Sequence, residues 1–322
     1  TGNTTGPHLH YEIRQNGAAL NINDIVPEQR NLFLASVQRI RSKPLRNSTY
    51  TTYTISPSIP SWRSPSYRTE GTQTPSSDRR IRVALAVDQR EIWLATSTVG
   101  HIVDGNGHVL KSIPARQNIR ITQGENGELY ADGELLPSAF FIQASNNGYV
   151  AVNNAWYRGK VFTASRTTGL LVVNWIDMEP YIASVVGGEM SSSWDMDALM
   201  AQAVAARSYA LVHMIRPHDR NWYDLMSTTR HQSYQGIRTE DQRTRQASSR
   251  TEGTILTSNV QSIHHVSGVV EALYGANMNV ISNSHNGYGM PQIEANNLAK
   301  NGIDYTQILS RYYPNSQLSR MN

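Results

Sequence analysis

The hydrophobic pattern changes character along the chain. From Ile81 onward, apolar residues come in short runs such as IRVALAV, EIWLAT and KVFTAS, and Gly, Asn and Asp turns separate these runs. Short apolar runs between turn residues are typical of β-strands joined by tight connections. The pattern therefore predicts a β-rich module over residues 81–165.

One long helical pattern follows, WDMDALMAQAVAARSYALVHMI at residues 194–215. Ser193 is the predicted N-cap, acidic residues lie in the first turn and Pro217 ends the helix. Apolar residues recur at i, i+3, i+4 and i+7 and form a stripe that contains Arg207. A buried arginine requires a carboxylate partner, and Glu189, just before this helix, is the candidate.

Residues 31–80 have a different composition. Ser, Thr, Pro and Arg are abundant there and no hydrophobic period is sustained, so the segment cannot bury enough apolar surface to offset the entropy of ordering. We predict a linker. The β-rich module and a mixed domain of helices and strands over residues 166–322 together predict the α+β fold class.

Composition narrows the range of functions. The chain has 322 residues, a formal net charge of +4 and no cysteine. A mildly basic surface suits an anionic polymer such as cell wall, but the charge is too small and too dispersed to predict nucleic-acid binding. The lack of cysteine excludes disulfides, thiolate metal ligands and a cysteine nucleophile. We expect no membrane span, because no apolar run approaches the ~18 residues that a span needs.

The stretch TGPHLHYEIRQNG, residues 5–17, places two histidines one residue apart. In a β-strand, His8 and His10 point to the same face, where they are two candidate ligands of one zinc ion. The stretch resembles the last catalytic strand of the lysostaphin-like (LytM-type) zinc endopeptidases, which cut peptidoglycan cross-bridges. The resemblance implies that His10 is a zinc ligand and that His8 assists the catalytic water.

The other ligands of that family, a His and an Asp, lie far upstream of this strand, whereas seven residues precede His8 here. Zinc catalysis needs about three protein ligands. We therefore expect residues 1–30 to be the C-terminal fragment of such a domain, with His8 and His10 as an orphaned zinc-type pair. An active zinc endopeptidase is a hypothesis that requires upstream sequence.

Glu189 is singled out by its chemistry. It follows the apolar stretch MEPYIASVVGG, whose two glycines predict a turn, and it precedes the long helix. A carboxyl group among apolar residues has a raised pKa and stays protonated near neutral pH, as a general acid must. From the residues alone, the alternative is a structural glutamate paired with Arg207.

A longer stretch, YRGKVFTASRTTGLLVVNWIDMEPYIASVVGGEMSSSWDMDALMAQAVAARSYAL, resembles the stage II sporulation protein D family, as does YDLMSTTRHQSYQG downstream. Further motifs follow in family order, so the resemblance covers roughly residues 81–322. Family members characterised as enzymes are lytic transglycosylases, which break the MurNAc–GlcNAc bond of peptidoglycan strands and leave a 1,6-anhydro end. The resemblance implies that Glu189 is the catalytic acid and base and that Arg207 anchors or polarises the site.

We also expect a set of substrate-binding residues, some of which would hold a sugar chain through ring stacking and amide contacts. These residues are Tyr209, Tyr234, Gln235, Ser267, His285 and Gln292. The implied chemistry requires no cofactor. Some relatives hold zinc near the position of His265 with the help of cysteines. This chain has no cysteine, so zinc near His265 is only a weak alternative.

Two departures from the family pattern, together with a C-terminal section that is shorter than in the sporulation enzymes, weaken the expectation of full activity. Met200 stands where the family has a lysine, and Asn286 stands where it has a histidine. We therefore keep a hypothesis from a different class, a non-catalytic glycan-binding protein or an enhancer of a cell-wall amidase. Under both hypotheses the expected partners are peptidoglycan glycan strands, and the expected location is the cell envelope after export, in the periplasm or the cell wall.

Overall fold

The computed structural model describes residues 80–216, 222–229, 231–260 and 262–321, together with the backbone of 13–15 and 18–20. The predicted zinc pair and residues 31–79 of the predicted linker lie outside these ranges, so both stay predictions. The two N-terminal segments are β1 (Ile13–Gln15) and β2 (Ala18–Leu20), which form an antiparallel hairpin. This hairpin belongs to one compact unit, and the residues from Arg80 onward belong to another.

Residues 80–177 are mainly β-structure, as the short apolar runs predict. The strands are β3 (Arg80–Gln89), β4 (Glu91–Thr96), β5 (Gly100–Val103), β6 (Val109–Ile113), β7 (Ile119–Gln123), β8 (Leu129–Ala131), β9 (Glu134–Leu136), β10 (Ala139–Ala144), β11 (Val150–Val152), β12 (Ala155–Tyr157), β13 (Lys160–Arg166) and β14 (Gly169–Asp177).

Helices become frequent after Asp177. They are α1 (Met178–Glu189), α2 (Met196–Ile215), α3 (Gln242–Arg250), α4 (Met278–His285), α5 (Gln292–Lys300) and α6 (Tyr305–Tyr312), with a 3-10 helix at Gly236–Arg238. The strands of this part are β15 (Leu225–Met226), β16 (Thr254–Thr257), β17 (His265–Val266), β18 (Val269–Val270), β19 (Tyr274–Gly275), β20 (Met290–Pro291) and β21 (Gln317–Arg320). Sheets followed by helices confirm the α+β class.

Two large sheets build the first half of this unit, with strand orders β15-β3-β14-β13-β10-β5-β6 and β12-β11-β4-β7-β8-β9. Their neighbours are antiparallel except for the parallel pair β15–β3. Strand β14 contains the apolar run of residues 170–173, which is buried on both faces of the sheet. Leu170 and Val172 face the main core, whereas Leu171 and Val173 pack with Phe162 in a second cluster.

The predicted boundary between residues 165 and 166 does not separate two compact units. Strand β13 crosses this boundary, and β14 pairs with β3 over its whole length. One hydrophobic core contains both Ile81 of the first sheet and Val204 of α2. The segments 81–165 and 166–322 therefore share a sheet and a core, which corrects the division into two modules.

Helix α2 lies at the centre of the helical part, where it contacts α1, α3, α5 and α6. It begins at Met196, and Asp195 is its N-cap because the Asp195 carboxylate accepts a hydrogen bond from the Asp197 N–H at 3.0 Å. The expectation that Ser193 caps a helix starting at Trp194 is therefore wrong. Neighbouring helices cover α2 on several sides, so its buried residues form more than one stripe.

Among the described residues, α2 is the one helix with the length and composition of a membrane span, at 20 residues and a mean hydropathy of 1.2. This corrects the expectation that no apolar run approaches that length. However, 72% of the apolar window is buried inside the protein. We therefore interpret α2 as a core helix whose apolar surface packs against its neighbours.

Candidate active site at the end of helix α1

Helix α1 places Glu189 at its last helical position. Strand β14 runs directly into this helix, whose buried face includes Val185 and Val186. The chain leaves the helix at Met190, where the backbone is extended. Gly187 and Gly188 therefore continue the helix, and the expected turn before Glu189 is wrong.

The two glycines allow a close approach between α1 and the segment 233–239. A Cβ atom added at Gly187 would lie 1.9 Å from the Thr239 carbonyl oxygen, and one added at Gly188 would lie 2.2 Å from the Ser233 carbonyl oxygen. Both distances are far shorter than any non-bonded contact permits. The Ser184 hydroxyl donates to the Gly236 carbonyl at 2.7 Å and fixes the same contact.

Glu189 is consequently pressed against the backbone of Ser233. Its Oε1 atom accepts a hydrogen bond from the Ser233 N–H at 2.7 Å, and the residue remains partly exposed. Burial raises the pKa of Glu189 to about 7, while the hydrogen bond from Ser233 acts in the opposite direction. The negative end of the α1 dipole also disfavours the carboxylate at this position. The group is thus balanced between its acid and its base form at neutral pH.

A buried glutamine and two tyrosines stand beside this acid. The Gln232 Oε1 atom accepts a hydrogen bond from the Tyr181 hydroxyl at 2.6 Å, and its Nε2 group donates to the Tyr274 hydroxyl at 2.9 Å and to the Ala206 carbonyl at 3.1 Å. Burial, and next the nearby Glu189 carboxylate, hold the pKa of Tyr274 well above its usual value. The neutral phenol groups of Tyr181 and Tyr274 therefore lie near the acid.

Arg207 is a structural residue in this arrangement. Its side chain is fully buried and forms a two-point contact with Glu179, at 2.9 Å to Oε1 and 2.6 Å to Oε2. Its remaining N–H groups donate to the carbonyl oxygens of Ala203, Ser248 and Thr254. The arginine therefore joins α1, α2, α3 and β16.

This geometry corrects the expected pairing of Arg207 with Glu189. Glu179 is in the first turn of α1 and Glu189 is its last residue, so about 15 Å of helix separates their backbones. All the polar N–H groups of Arg207 are occupied on the Glu179 side. The arrangement favours a role in holding the fold and does not support the expected contact with substrate.

Three of the expected substrate-binding residues contact the protein core. Tyr234 is buried, and its hydroxyl donates to Asn174 Oδ1 at 2.7 Å. Gln292 is buried, and its Nε2 group donates to Gln202 Oε1 at 3.4 Å. Tyr209 is partly buried and packs against the core. The burial of Tyr234 and Gln292 does not support direct contact with a glycan.

The other expected residues differ in their distance from Glu189. Gln235 donates to the Ser233 hydroxyl at 3.2 Å, so it lies next to the residue that holds Glu189. His285 contacts the backbone of Tyr274, and burial lowers the pKa of His285. Ser267 is exposed in the tight turn between β17 and β18 and has a φ of 51°. Gln235 and His285 are thus brought toward the Glu189 site, whereas Ser267 has no described link to it.

The two departures from the family pattern have local explanations. Met200 is partly buried and packs against the core. Asn286 is the C-cap of α4 with a φ of 50°, a left-handed conformation that asparagine tolerates better than most residues.

His265 Nδ1 contacts the Val260 carbonyl at 2.6 Å. Within the described ranges, no three His, Asp or Glu side chains are grouped to hold a metal ion.

Replacing Gly188 with alanine is expected to displace the end of α1 from Ser233. The added methyl group collides with a backbone carbonyl, so we expect a loss of about 1–3 kcal/mol in the free energy of unfolding. Gly105→Ala is the matched control because nothing lies within 4 Å of its Cβ position. Urea unfolding of both variants tests this prediction, and equal stability of the two variants would show that the close contact is not tight.

Part of the chain is similar in sequence to known proteins. Residues 166–258 match the family model SpoIID, described as a stage II sporulation protein. This segment contains Glu189, Arg207, Gln232 and Ser233. A segment of 85 residues is 38% identical to an uncharacterized protein of Brachyspira hyodysenteriae and covers 26% of this chain and 23% of that relative. The expected resemblance is confirmed over the matched segment, and beyond it stays a prediction.

Proposed function

We propose that this protein is a lytic transglycosylase that cleaves the MurNAc–GlcNAc bonds of peptidoglycan glycan strands. The observation that carries the proposal is Glu189, a partly exposed carboxyl group with a pKa of about 7, held by one backbone hydrogen bond at the end of a buried helix. The SpoIID match covers this residue and its Ser233 partner. The proposed location is the bacterial cell envelope.

The chemistry needs one group that first gives and then takes a proton. Protonated Glu189 donates to the glycosidic oxygen, so the C1–O bond breaks and the GlcNAc end leaves as an alcohol. The Glu189 carboxylate then removes the proton of the C6 hydroxyl while O6 bonds to C1, which closes the 1,6-anhydro ring. No water enters the products, and the carboxyl group returns to its protonated form. A pKa near 7 suits both steps.

The proposed mechanism differs from that of a glycoside hydrolase with two carboxylates, which lie about 5–10 Å apart on either side of the bond. Burial raises the pKa of Glu189 and the Ser233 hydrogen bond lowers it. No second carboxylate of the described residues contributes to this pKa shift. The neighbouring polar groups include the hydroxyls of Tyr181 and Tyr274 and the backbone of Ser233. The proposed mechanism needs only the Glu189 carboxyl group, because the C6 hydroxyl of the substrate takes the place of an attacking water.

The pH dependence of cleavage follows from the same pKa. The free enzyme must carry the proton on Glu189, so kcat/KM is expected to be constant below pH 7 and to fall about tenfold per unit above it. The rate of glycan cleavage measured from pH 5 to pH 9 tests this expectation. A rate that rises through pH 7 and stays high at pH 9 would contradict the role of Glu189 as the acid.

The direct test is incubation of the purified protein with peptide-free glycan strands, followed by mass spectrometry of the products. We expect 1,6-anhydro ends from the wild type. Equal product from wild type and Glu189→Gln would exclude the proposed chemistry at this residue.

A second candidate is a glycan-binding protein or amidase enhancer without catalysis. It is favoured by Met200, which supplies no charge where the family pattern has a lysine. Under this alternative the protein binds peptide-free strands but forms no anhydro ends, and Met200→Lys does not restore them. Formation of anhydro ends by the wild type would contradict it.

A further inference from the structure

A groove with a volume of about 840 Å³ lies on the helical part of the chain. The end of α4, helix α5 and helix α6 form its walls. Its lining includes the side chains of Tyr288, Glu294, Asn297, Asn301, Arg311 and Tyr312. Glu189 is not among its lining residues, so this groove is separate from the Glu189 site.

One oxygen in the groove lacks a protein partner. Glu294 Oε1 accepts a hydrogen bond from the Met278 N–H at 3.2 Å. Glu294 Oε2 is buried and has no hydrogen-bond partner within the described ranges. A buried acceptor without a partner costs free energy, which is recovered when the Glu294 side chain turns its Oε2 atom toward a donor in the groove. The groove is therefore suited to a ligand that carries hydroxyl or amide N–H groups.

The groove also offers two tyrosine rings. Tyr288 is held in place by a parallel stack on His264, with ring centroids 4.0 Å apart and an interplanar angle of 2°. Tyr312 is partly buried, and this burial raises its pKa. Ring surfaces that are fixed in advance lose little entropy when a flat ligand face packs on them. Sugar rings present such apolar faces between their hydroxyl groups.

Amide and guanidinium groups complete the lining. Asn297 and Asn301 are exposed, and the Asn301 side chain donates to the Asn297 carbonyl at 2.8 Å. Arg311 is exposed in the last turn of α6 and lies next to Tyr312. Arg311 is well suited to bind a carboxylate. Arg311 is one cation beside the Glu294 carboxylate, and a nucleic-acid backbone with many phosphates needs several cations. An apolar ligand does not fit either, because the walls of the groove carry polar side chains.

The backbone connects this groove with the Glu189 site. Strand β19 begins at Tyr274, which stands beside Glu189, and Tyr274 pairs with Met290 of β20 in a parallel arrangement. The loop from Asn286 to Gly289, which joins α4 to β20, lines the groove. The groove and the Glu189 site are therefore linked through one pair of strands.

We propose that the groove is a second binding site for the glycan strand, specific for an acidic N-acetylated sugar. Glu294 accepts hydroxyl or amide hydrogens of the sugar, the tyrosine rings pack on its faces, and Arg311 binds the carboxylate of its lactyl group. This inference rests on the proposed function for the identity of the polymer. Arg311 is the residue that selects the carboxylated sugar.

The test measures binding in the Glu189→Gln background, where no substrate is consumed. The probes are a GlcNAc–MurNAc tetrasaccharide and the uncharged tetrasaccharide of GlcNAc. Arg311→Ala is expected to weaken binding of the first probe about tenfold, as for loss of a charge-assisted hydrogen bond, and to leave the second nearly unchanged. Glu294→Gln is expected to weaken both probes.

Arg250→Ala is the matched control, because Arg250 is also an exposed arginine in the last turn of a short helix. Equal weakening by Arg250→Ala and Arg311→Ala, or no weakening by Arg311→Ala, would overturn the inference. The result is independent of catalysis. Absence of anhydro ends with the wild type would contradict the proposed reaction and would leave a measured Arg311 effect as support for this site.

Discussion

Replacing Glu189 with glutamine is expected to lower the rate of anhydro-end formation by about 10²–10⁴-fold, the range usual for loss of a general acid. Glutamine keeps the shape of the side chain and accepts the Ser233 hydrogen bond, but it has no acidic proton to donate. Glu252→Gln is the control because Glu252 is exposed at the end of the α3 region. The measurement is the initial rate of product formation on peptide-free strands at pH 6.5.

The same substitution is expected to stabilise the fold at alkaline pH. Glu189 has a pKa of about 7 in the folded protein against an ordinary value of 4.5. Between these values the folded state binds more protons than the unfolded state, so the wild type loses stability as pH rises through this range. Since the side chain is partly exposed, we expect Glu189→Gln to gain about 2 kcal/mol at pH 8 and nothing at pH 4.

Urea unfolding at the two pH values measures this difference. If Glu189→Gln loses activity and gains stability at pH 8, the environment of Glu189 destabilises the folded protein but is required for cleavage. A variant that is less stable than the wild type at pH 8 would instead show that Glu189 supports the fold.

Replacing Arg207 with methionine is expected to reduce the free energy of unfolding by about 3–5 kcal/mol, because the partly exposed Glu179 loses its cationic partner and the carbonyl groups of Ser248 and Thr254 lose a donor. Three helices and β16 depend on this guanidinium for their hydrogen bonds. The exposed Arg250→Met is the matched control and is expected to change stability by less than about 0.5 kcal/mol. Urea unfolding of both variants gives the comparison.

Arg207→Lys separates a structural role from a chemical one. Lysine retains the charge but lacks the planar fork that contacts both Glu179 oxygens, so we expect a smaller loss of stability and a normal cleavage rate per folded molecule. A fully stable Arg207→Lys protein that no longer cleaves glycan would contradict the structural assignment and return Arg207 to the catalytic site.

Local patterns predicted much of this fold. The short apolar runs correspond to the strands between Arg80 and Asp177, and the helical spacing identified α2 to within two residues at its start. The chemistry of an acid among apolar residues singled out Glu189, whose raised pKa agrees with that expectation. These features depend on neighbouring residues or on burial that an apolar sequence already indicates.

Long-range contacts explain what local patterns could not predict. Both Glu179 and Glu189 are near Arg207 in sequence, and only the packing of α1 on α2 selects Glu179. The glycines 187 and 188 suggested a turn, but they serve a close contact with a segment more than 40 residues away. Gln232 lies within the motif YDLMSTTRHQSYQG, but its link between Tyr181 and Tyr274 depends on the approach of three distant segments.

The most direct test of the account is the isotopic composition of the cleavage products formed in H₂¹⁸O. Ring closure through the C6 hydroxyl predicts 1,6-anhydro-MurNAc ends that contain no ¹⁸O, because no solvent oxygen enters the product. Products with a reducing MurNAc end that carries one ¹⁸O atom would show hydrolysis and would contradict the single-carboxyl mechanism at Glu189.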